Sequence, residues 1–390
     1  MRSDCTAQSG VLILLMVLLI CNYPADQQQS MQRFATMMLR HLSAAGLPVE
    51  LIQPQAYFGK IRFAGRLVAK WLGYFDKFIL FPRRLKEKLS AGVSLVHICD
   101  QGNAMYQAQA GDLPVVVTCH DLLAVRGARG ETTDFPASLT GKYLQRWIVA
   151  SLRKADAVAC VSPATLRDAE RIVGEKNGRP QFALIPHGLN YPYRRQSSEK
   201  VRAQLARIPQ LDPGRPFVLH VGSNLPMKNR EGVLRIFALA QEAWPGQMVF
   251  AGQKLTPALR SLGRELGVMQ RVVEVEDPPN ELLEALYNGA LVLLYPSRFE
   301  GFGWPIVEAQ ACGCPVICSD REPMSEVGGA AALTAEVADE PAMVRALLRL
   351  TDPAERARWS EKSLHNAQRF SVEKMIAQYL ALYRSLGARL

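Results

Sequence analysis

Two carboxylates, Glu300 and Glu308, stand eight residues apart in a glycine-rich stretch that runs from residue 295 to residue 320. Glycines directly after Glu300 allow backbone N–H groups to approach a ligand closely. Glu308 falls one turn into a predicted helix, whose N-terminus favours an anion. The pattern therefore predicts a site for a polyhydroxylated and phosphorylated ligand. The alternative is one glutamate on a surface turn and another on an amphipathic helix.

A second candidate lies at Lys228, which follows a predicted strand at 216–221 and a glycine turn that begins at Gly222. The ammonium group of lysine is a compact charge that suits a diphosphate. A lysine at a helix start is unfavourable unless an anion meets it. We therefore expect Lys228 to bind phosphate, with Arg230 as an assisting cation; the alternative is a solvated lysine.

The first half of the chain offers His120 and Ser30. His120 follows the apolar strand at 114–119, so it is expected at the carboxyl end of a sheet and facing a cleft. A lone histidine is more often structural, so its role depends on the second-half residues. Ser30 stands at the start of a predicted helix near 30–45. It either only caps that helix, or also offers its hydroxyl and the N–H of Met31 to a phosphate.

Strands alternate with helices through both halves of the chain, which predicts two parallel, doubly wound α/β sheets. The predicted strands are 16–21, 49–52, 94–98, 114–119, 156–161 and 181–185, then 216–221, 247–251, 271–275, 291–295 and 315–318. The predicted helices are near 30–45, 61–73, 141–153 and 163–173, then 229–242, 256–266, 280–288, 304–311, 340–350, 353–369 and 372–388. Open sheets of this kind bind ligands at the carboxyl ends of their strands.

The expected domains follow from this alternation. Residues 16–195 form the first domain, 196–213 a linker, and 214–371 a second domain; residues 372–390 form a last helix that packs on the first domain. The apolar run from Val11 to Cys21 has the length of a signal-peptide core, but no small-x-small cleavage site follows it. We therefore expect residues 1–15 to be an upstream extension and Met16 to be the natural start.

Composition limits the class of protein. With 390 residues, 48% hydrophobic content and a net charge of +10, the chain is expected to form two globular domains with an anionic partner. It carries no nucleic-acid-binding motif. The eight cysteines include no Cys-x-x-Cys pair, and no Asp-x-Asp is present. We expect buried thiols in a reducing, cytoplasmic compartment, and no metal at the site.

The segment 60–88 combines basic and aromatic residues. Nine basic residues, among them Arg62, Arg66 and Lys70 on one helical face, are interleaved with aromatic residues such as Trp71. This pattern suits an anionic membrane surface, with each charge contributing roughly 1 kcal/mol near the headgroups. The alternative is a core-packed helix pair with a solvated basic face.

The spacing Glu300-x7-Glu308 within FEGFGxPxxEAxAxGxPV resembles the signature of the retaining glycosyltransferases of family 4, the glycosyltransferase group 1 domain. The resemblance implies the GT-B fold, with the last helix crossing back to the first domain. It implies that Glu300 binds hydroxyls of a donor sugar, that Glu308 binds the nucleotide ribose, and that His120 lies near the transferred bond. Members that transfer mannose, with the His-Asp-Leu and Phe-Glu-Gly-Phe-Gly pairing, resemble this sequence most.

The residues that match the family pattern can be stated as a set. Donor contacts are expected from Gly222, Ser223, Lys228, Asn229, Glu300, Gly301, Phe302, Gly303 and Glu308, with His120, Glu300 and Lys228 in catalysis. Two departures are present. The first domain lacks the usual Gly-Gly loop, so Ser30 and Met31 are expected at the phosphate or acceptor, and Ser223 stands where the family has an arginine.

The resemblance implies transfer of a sugar, with mannose favoured, from a nucleotide diphosphate sugar to a saccharide or lipid-linked acceptor. Such a reaction belongs to the synthesis of cell-surface polysaccharides or glycolipids. It needs no cofactor, and the enzyme would sit at the inner face of the cytoplasmic membrane. Two alternatives stay open: a non-catalytic partner protein with the same fold, and another nucleotide-sugar enzyme such as an epimerase.

Overall fold

The computed structural model describes residues 16–26, 28–58, 65–90 and 92–387, without the side chains of 65–67, 69 and 70. The predicted upstream extension, residues 1–15, lies outside the described residues. So do Lys60 and Arg62 of the basic segment, and the side chains of Arg66 and Lys70.

The first domain is built on a parallel sheet with the strand order β2-β1-β3-β4-β5-β6. Its strands are β1 (Met16–Ile20), β2 (Val49–Ile52), β3 (Val93–Ile98), β4 (Val115–Cys119), β5 (Ala157–Cys160) and β6 (Gln181–Leu184). Its helices are α1 (Gln29–Ala44), α2 (Gly65–Phe75), α3 (Phe81–Leu89), α4 (Leu123–Ala128), α5 (Leu139–Leu152) and α6 (Pro163–Ile172). The central strands are apolar runs because helices cover both faces of the sheet.

The second domain repeats the plan with the strand order β12-β11-β10-β7-β8-β9, also parallel. Its strands are β7 (Phe217–Gly222), β8 (Gln247–Gly252), β9 (Val272–Glu276), β10 (Val292–Tyr295), β11 (Val316–Ser319) and β12 (Ala332–Ala335). Its helices are α8 (Arg230–Ala240), α9 (Pro257–Glu265), α10 (Asn280–Gly289), α11 (Trp304–Ala311), α12 (Met324–Gly328), α13 (Glu340–Arg349) and α14 (Pro353–Ala367). The order is that of dinucleotide-binding sheets, with a crevice at the switch point between β7 and β10.

The predicted α/β class and both doubly wound sheets are confirmed. The pattern missed β12 and the helices α3, α4 and α12. It also missed α7 (Ser198–Leu205), which lies inside the stretch predicted as a linker, 196–213. Ser197 caps α7 by accepting a hydrogen bond from the Lys200 N–H, and Val201 is its buried residue. A single buried residue leaves too little periodicity to reveal a helix.

The last helix, α15 (Val372–Ser385), crosses back to the first domain as expected. Its apolar face packs against α1 and the first sheet, in one buried cluster with residues such as Phe34. Two tyrosines of α15 extend this contact to side chains of β4 and β3. The Tyr379 hydroxyl lies 2.8 Å from Thr118 Oγ1, and the Tyr383 hydroxyl lies 2.6 Å from His97 Nδ1. Paired hydroxyl and imidazole groups explain how polar atoms are accommodated in this core.

None of the described helices has both the length and the hydropathy required to cross a bilayer. The seven cysteines among the described residues are all buried with free thiols.

Candidate active site

A cleft of about 1750 Å³ separates the two domains and lies at the carboxyl ends of both sheets. The loop after β4 brings His120 to one wall, and the loop after β7 brings Ser223 and Lys228 to the other. Glu308, on α11, lies in the same cleft. The structure therefore gathers residues that are up to 188 positions apart in sequence, 120 to 308, around one space.

Lys228 and Glu300 form a largely buried ion pair beside this cleft: Lys228 is among the residues that line the cleft, and Glu300 and the glycine-rich turn after it are not. Lys228 Nζ lies 2.6 Å and 2.8 Å from the two carboxylate oxygens of Glu300, and the side chains are 16% and 8% exposed. The Tyr295 hydroxyl completes the group, 2.6 Å from Glu300 Oε1 and 3.0 Å from Lys228 Nζ. A buried ion pair is stable only when its remaining hydrogen-bonding capacity is satisfied, as here. Because Lys228 lines the cleft, an anion bound next to it would compete with Glu300 for this ammonium group.

Glu308 is held by a different tyrosine. The Tyr287 hydroxyl donates to Glu308 Oε2 at 2.7 Å, and the Asn190 amide reaches Oε1 at 3.4 Å. Burial raises the pKa of Glu308, while the Tyr287 bond and the positive charge of Arg33 act in the opposite direction. The carboxylate is therefore fixed in orientation and faces the cleft, as hydroxyl recognition requires.

The glycine-rich turn lies at the contact between the domains. A Cβ on Gly301 would lie 2.2 Å from the His120 carbonyl oxygen, so only glycine fits there. Gly303 has φ of +101° and precedes α11, a left-handed conformation that favours glycine. The Phe302 ring packs against the His187 ring at 5.1 Å and is buried. The turn thus joins the second domain to the loop that carries His120.

His120 lies at the cleft as predicted, but both of its ring nitrogens are bonded. Nε2 lies 2.8 Å from the Cys99 carbonyl, an acceptor, so Nε2 carries the proton. Nδ1 must then accept from His187 Nε2 at 3.0 Å. Burial lowers the pKa of both histidines, so the pair is neutral. The His120 ring cannot exchange a proton with a ligand without losing one of these bonds.

The structure assigns contacts that the sequence did not predict to two residues next to Lys228, and the donor contact of Asn229 stays a prediction. Arg230 does not assist Lys228: it is buried, and its guanidinium donates to the carbonyls of Gly222 and Gln253. Asn229 is a helix cap, accepting from the Gly232 N–H at 3.3 Å and donating to the Pro296 carbonyl at 3.1 Å. Both residues hold the loops of the cleft wall in place.

Ser30 does not cap α1. The helix begins at Gln29, its cap residue is Gln28, and no side chain closes the cap. Ser30 and Met31 lie in the first turn and line the cleft. Free N–H groups of a first turn favour an anion, so the phosphate role of this turn stays a prediction.

Sequence reasoning missed five residues of the site: Asn190, His187, Trp304 and the tyrosines at 287 and 295. Trp304 donates its indole N–H to the Gly188 carbonyl across the domain boundary at 3.1 Å. Tyr295 ends an apolar run, and a polar atom at the end of a buried strand is the signal that could have found it. Among the described residues, no group of three or more His, Cys, Asp or Glu could hold a metal ion. Metal independence stays a prediction.

Comparisons with known proteins match both halves. The profile of the glycosyl transferases group 1 matches residues 201–365, and that of glycosyltransferase family 4 matches residues 31–191. An O-antigen chain mannosyltransferase B of Escherichia coli is 31% identical over 44% of this chain. A D-inositol 3-phosphate glycosyltransferase of Nocardia farcinica is 29% identical over 53% of this chain. The matched part spans 46% of the length of each relative.

Solved structures share the whole architecture. A sucrose-phosphate synthase from Thermosynechococcus elongatus is 23% identical with a TM-score of 0.76, and the match covers 96% of this chain and 100% of that one. The Anabaena protein HepE, solved with UDP and glucose, is 16% identical with a TM-score of 0.72, over 95% and 100% of the chains. At these identities the likeness shows the GT-B fold. With this fold and both profiles, the chain belongs to the retaining glycosyltransferases of family 4.

Proposed function

We propose that this protein transfers a sugar from a nucleotide diphosphate sugar to an acceptor hydroxyl, with retention at the anomeric carbon. The observation that carries the proposal is a cleft between the domains that is lined by Lys228 and Glu308, with Glu300 paired to the ammonium group of Lys228. Both glutamates are fixed by hydrogen bonds, and the ammonium is positioned to exchange its carboxylate partner for a phosphate. Such preorganised charge is the main source of catalysis in reactions that release an anion.

Each side chain has a distinct role in this proposal. Glu308 binds the ribose hydroxyls, Glu300 binds hydroxyls of the donor sugar, and Lys228 stabilises the departing diphosphate. The acceptor oxygen bonds to the anomeric carbon as the bond to the diphosphate oxygen breaks, and the acceptor proton leaves with the diphosphate. His120 stays neutral and forms part of the wall beside the sugar, since its ring nitrogens are already bonded.

We propose mannose as the sugar and a cell-surface polysaccharide or glycolipid as the product. The relative named O-antigen chain mannosyltransferase B supports this choice. The Anabaena structure with UDP and glucose supports the general class of donor, a nucleotide diphosphate sugar, and makes a uridine-linked hexose the competing donor.

Binding of a nucleotide panel tests the donor site. We expect one of GDP, UDP and ADP to bind preferentially in calorimetry without added metal. Replacing Glu308 with alanine should weaken that binding by about 10- to 100-fold, because a charged hydrogen-bond acceptor contributes roughly 1.5–3 kcal/mol. Glu361→Ala, which removes an exposed carboxylate of α14, is the matched control and should bind as the native protein does. If folded protein binds none of the three, a non-catalytic partner protein becomes the better proposal.

The acceptor is proposed to be lipid-linked and presented at an anionic membrane. An exposed apolar face, here called the rim face, runs along α2, the π-helical segment Asp76–Leu80 that follows it, and α5. It consists of Val68, Trp71, Phe75, Ile79, Leu139, Tyr143 and Trp147. Phe78 joins its two parts, with its ring 5.4 Å from Trp147, and also lines the cleft. Among its neighbours, Lys142 and Arg146 on α5 are exposed. Aromatic and basic groups together suit a headgroup layer, and support a peripheral location at the inner face of the cytoplasmic membrane.

Vesicle sedimentation tests the rim face. Native protein should bind vesicles that contain phosphatidylglycerol and should bind phosphatidylcholine vesicles about 10-fold more weakly, since each basic residue contributes roughly 1 kcal/mol at an anionic surface. The double variant Trp71→Ser, Trp147→Ser should lose at least about 10-fold in binding because both rings are exposed. Leu239→Ser removes an equally exposed apolar residue from the second domain and should change nothing. Equal sedimentation of all three proteins would argue for the solvated-face alternative.

A further inference from the structure

The hydroxyl of Tyr295 is a buried polar group that contacts both members of the Lys228–Glu300 ion pair. Tyr295 is the last residue of β10 and is fully buried. Its oxygen lies 2.6 Å from Glu300 Oε1 and 3.0 Å from Lys228 Nζ. Since a carboxylate only accepts and an ammonium only donates, the directions are determined. Tyr295 donates its proton to Glu300 and accepts from Lys228.

We infer that Tyr295 is a positioning residue, whose hydroxyl holds the Glu300 carboxylate in place when the ammonium of Lys228 turns to the diphosphate of the donor. The inference rests on the proposed function and adds to it a residue outside the paired-glutamate motif.

The need for such a group follows from the ion pair. In the unliganded protein the ammonium contacts both oxygens of Glu300. A diphosphate that draws the ammonium away leaves an 8% exposed carboxylate without its charged partner. A buried carboxylate without a donor is costly and has no fixed orientation. The O–H of Tyr295 is the contact that does not depend on where Lys228 points.

The Tyr295 ring is well suited to a fixed role. Burial, together with the negative charge of Glu300, raises the pKa of Tyr295 well above its usual value, so the hydroxyl keeps its proton. The ring stacks on His220, with 6.2 Å between the ring centroids. His220 is in turn held by its Nδ1, which donates to the Leu294 carbonyl at 3.0 Å. The backbone of β10 and the stacked His220 ring therefore hold the Tyr295 hydroxyl in one position.

A second tyrosine provides a matched comparison. The fully buried Tyr287 donates to Glu308 at 2.7 Å, as Tyr295 does to Glu300. Both pairs combine a buried phenol with one glutamate of the motif, but only the Glu300 pair includes a lysine. Removing one hydroxyl or the other therefore separates support of the proposed sugar contact from support of the proposed ribose contact.

The experiment compares Tyr295→Phe with Tyr287→Phe, each of which removes one oxygen and keeps the ring. For Tyr295→Phe we expect kcat to fall by about 10- to 100-fold, while Kd for the preferred nucleoside diphosphate changes by less than about 3-fold. For Tyr287→Phe we expect Kd for the same nucleoside diphosphate to rise by about 10-fold, and kcat to fall by less than it does in Tyr295→Phe. Binding alone gives a second readout: the extra affinity for the nucleotide sugar over the nucleoside diphosphate should be lost in Tyr295→Phe and kept in Tyr287→Phe.

A double variant separates positioning from general destabilisation. If Tyr295 acts through Glu300, adding Tyr295→Phe to Glu300→Gln should lower kcat by less than about 2-fold further. Additive losses in the double variant, or an unchanged kcat in Tyr295→Phe, would overturn the inference and leave the proposed function standing. Native protein that binds no nucleotide sugar would instead overturn the proposed function, and the inference with it.

Discussion

Replacing Lys228 with methionine should lower kcat by about 10²–10³-fold, the loss seen when one preorganised stabiliser of a developing anion is removed. Methionine keeps most of the apolar stem but carries no charge, so the diphosphate leaves without its cation. The effect is expected to be large because Arg230, the nearest arginine in sequence, is committed to backbone carbonyls. Steady-state turnover with the preferred donor measures the change.

The same variant tests the ion pair. Lys228→Met leaves the Glu300 carboxylate buried, with the Tyr295 hydroxyl as its one remaining hydrogen-bond partner among the described residues, so the free energy of unfolding should fall by about 3 kcal/mol. Adding Glu300→Gln should restore much of this stability, because the amide carries no charge, but should not restore turnover. Lys200→Met, which removes an exposed lysine of α7, serves as control and should alter neither quantity. Full turnover in Lys228→Met would exclude the proposed role of the lysine.

Acid should destabilise this protein strongly. Burial lowers the pKa of His97 and of His220 to about 3 in each case, from an ordinary value of 6.5. Each ring is neutral in the folded protein and takes up a proton once unfolded, so below about pH 6.5 the unfolded state binds more protons. Their contribution to stability is present above that pH and is lost as pH falls, by about 1.4 kcal/mol per pH unit for each ring.

Between about pH 6.5 and about pH 5, these two histidines should together lower the free energy of unfolding by about 3 kcal/mol, since the unfolded-state rings are already half protonated at pH 6.5. The lowered pKa values of His120 and His187 act in the same direction. Asp121 acts in the opposite direction, because burial raises its pKa to about 6. Its carboxylate takes up a proton in the folded state as the pH falls, which offsets about 1 kcal/mol of this loss of stability.

Denaturant unfolding at a series of pH values measures this loss. His220→Asn keeps a donor near the position of Nδ1 but does not titrate, so its stability should depend on pH less steeply, by about 1.4 kcal/mol per pH unit. His365→Asn replaces an exposed histidine and should keep the native slope. A free energy of unfolding that stays constant over this range would contradict the account of the buried histidines.

The sequence predicted those parts of the molecule that depend on local patterns. Apolar runs separated by amphipathic stretches gave both sheets, and the end of a run placed His120 at the cleft. Glu308 was predictable because the helix that carries it has clear start and stop residues, Pro305 and Gly313. The missed elements are those with weak patterns: α7 buries one residue and β12 has only four.

Local sequence patterns could not predict which residues distant in sequence pair with each other. Nothing near Lys228 in sequence indicates that Glu300, 72 residues away, takes its ammonium. Likewise, the bond from His187 to His120 spans 67 residues, and no local pattern near His120 indicates it. Such roles depend on which loops meet at the cleft, and the packing of two domains settles that.

The return of α15 to the first domain has a consequence for how the chain is made. Tyr379 and Tyr383 complete a cluster that also contains β1 and α1 residues, yet they are synthesised after the entire second domain. On the ribosome, the first domain must therefore wait with one apolar face uncovered while about 180 further residues emerge, some tens of seconds at the slower rates of synthesis. Chaperones that bind exposed apolar surface have that interval in which to act, and a first domain expressed alone would keep the same face bare.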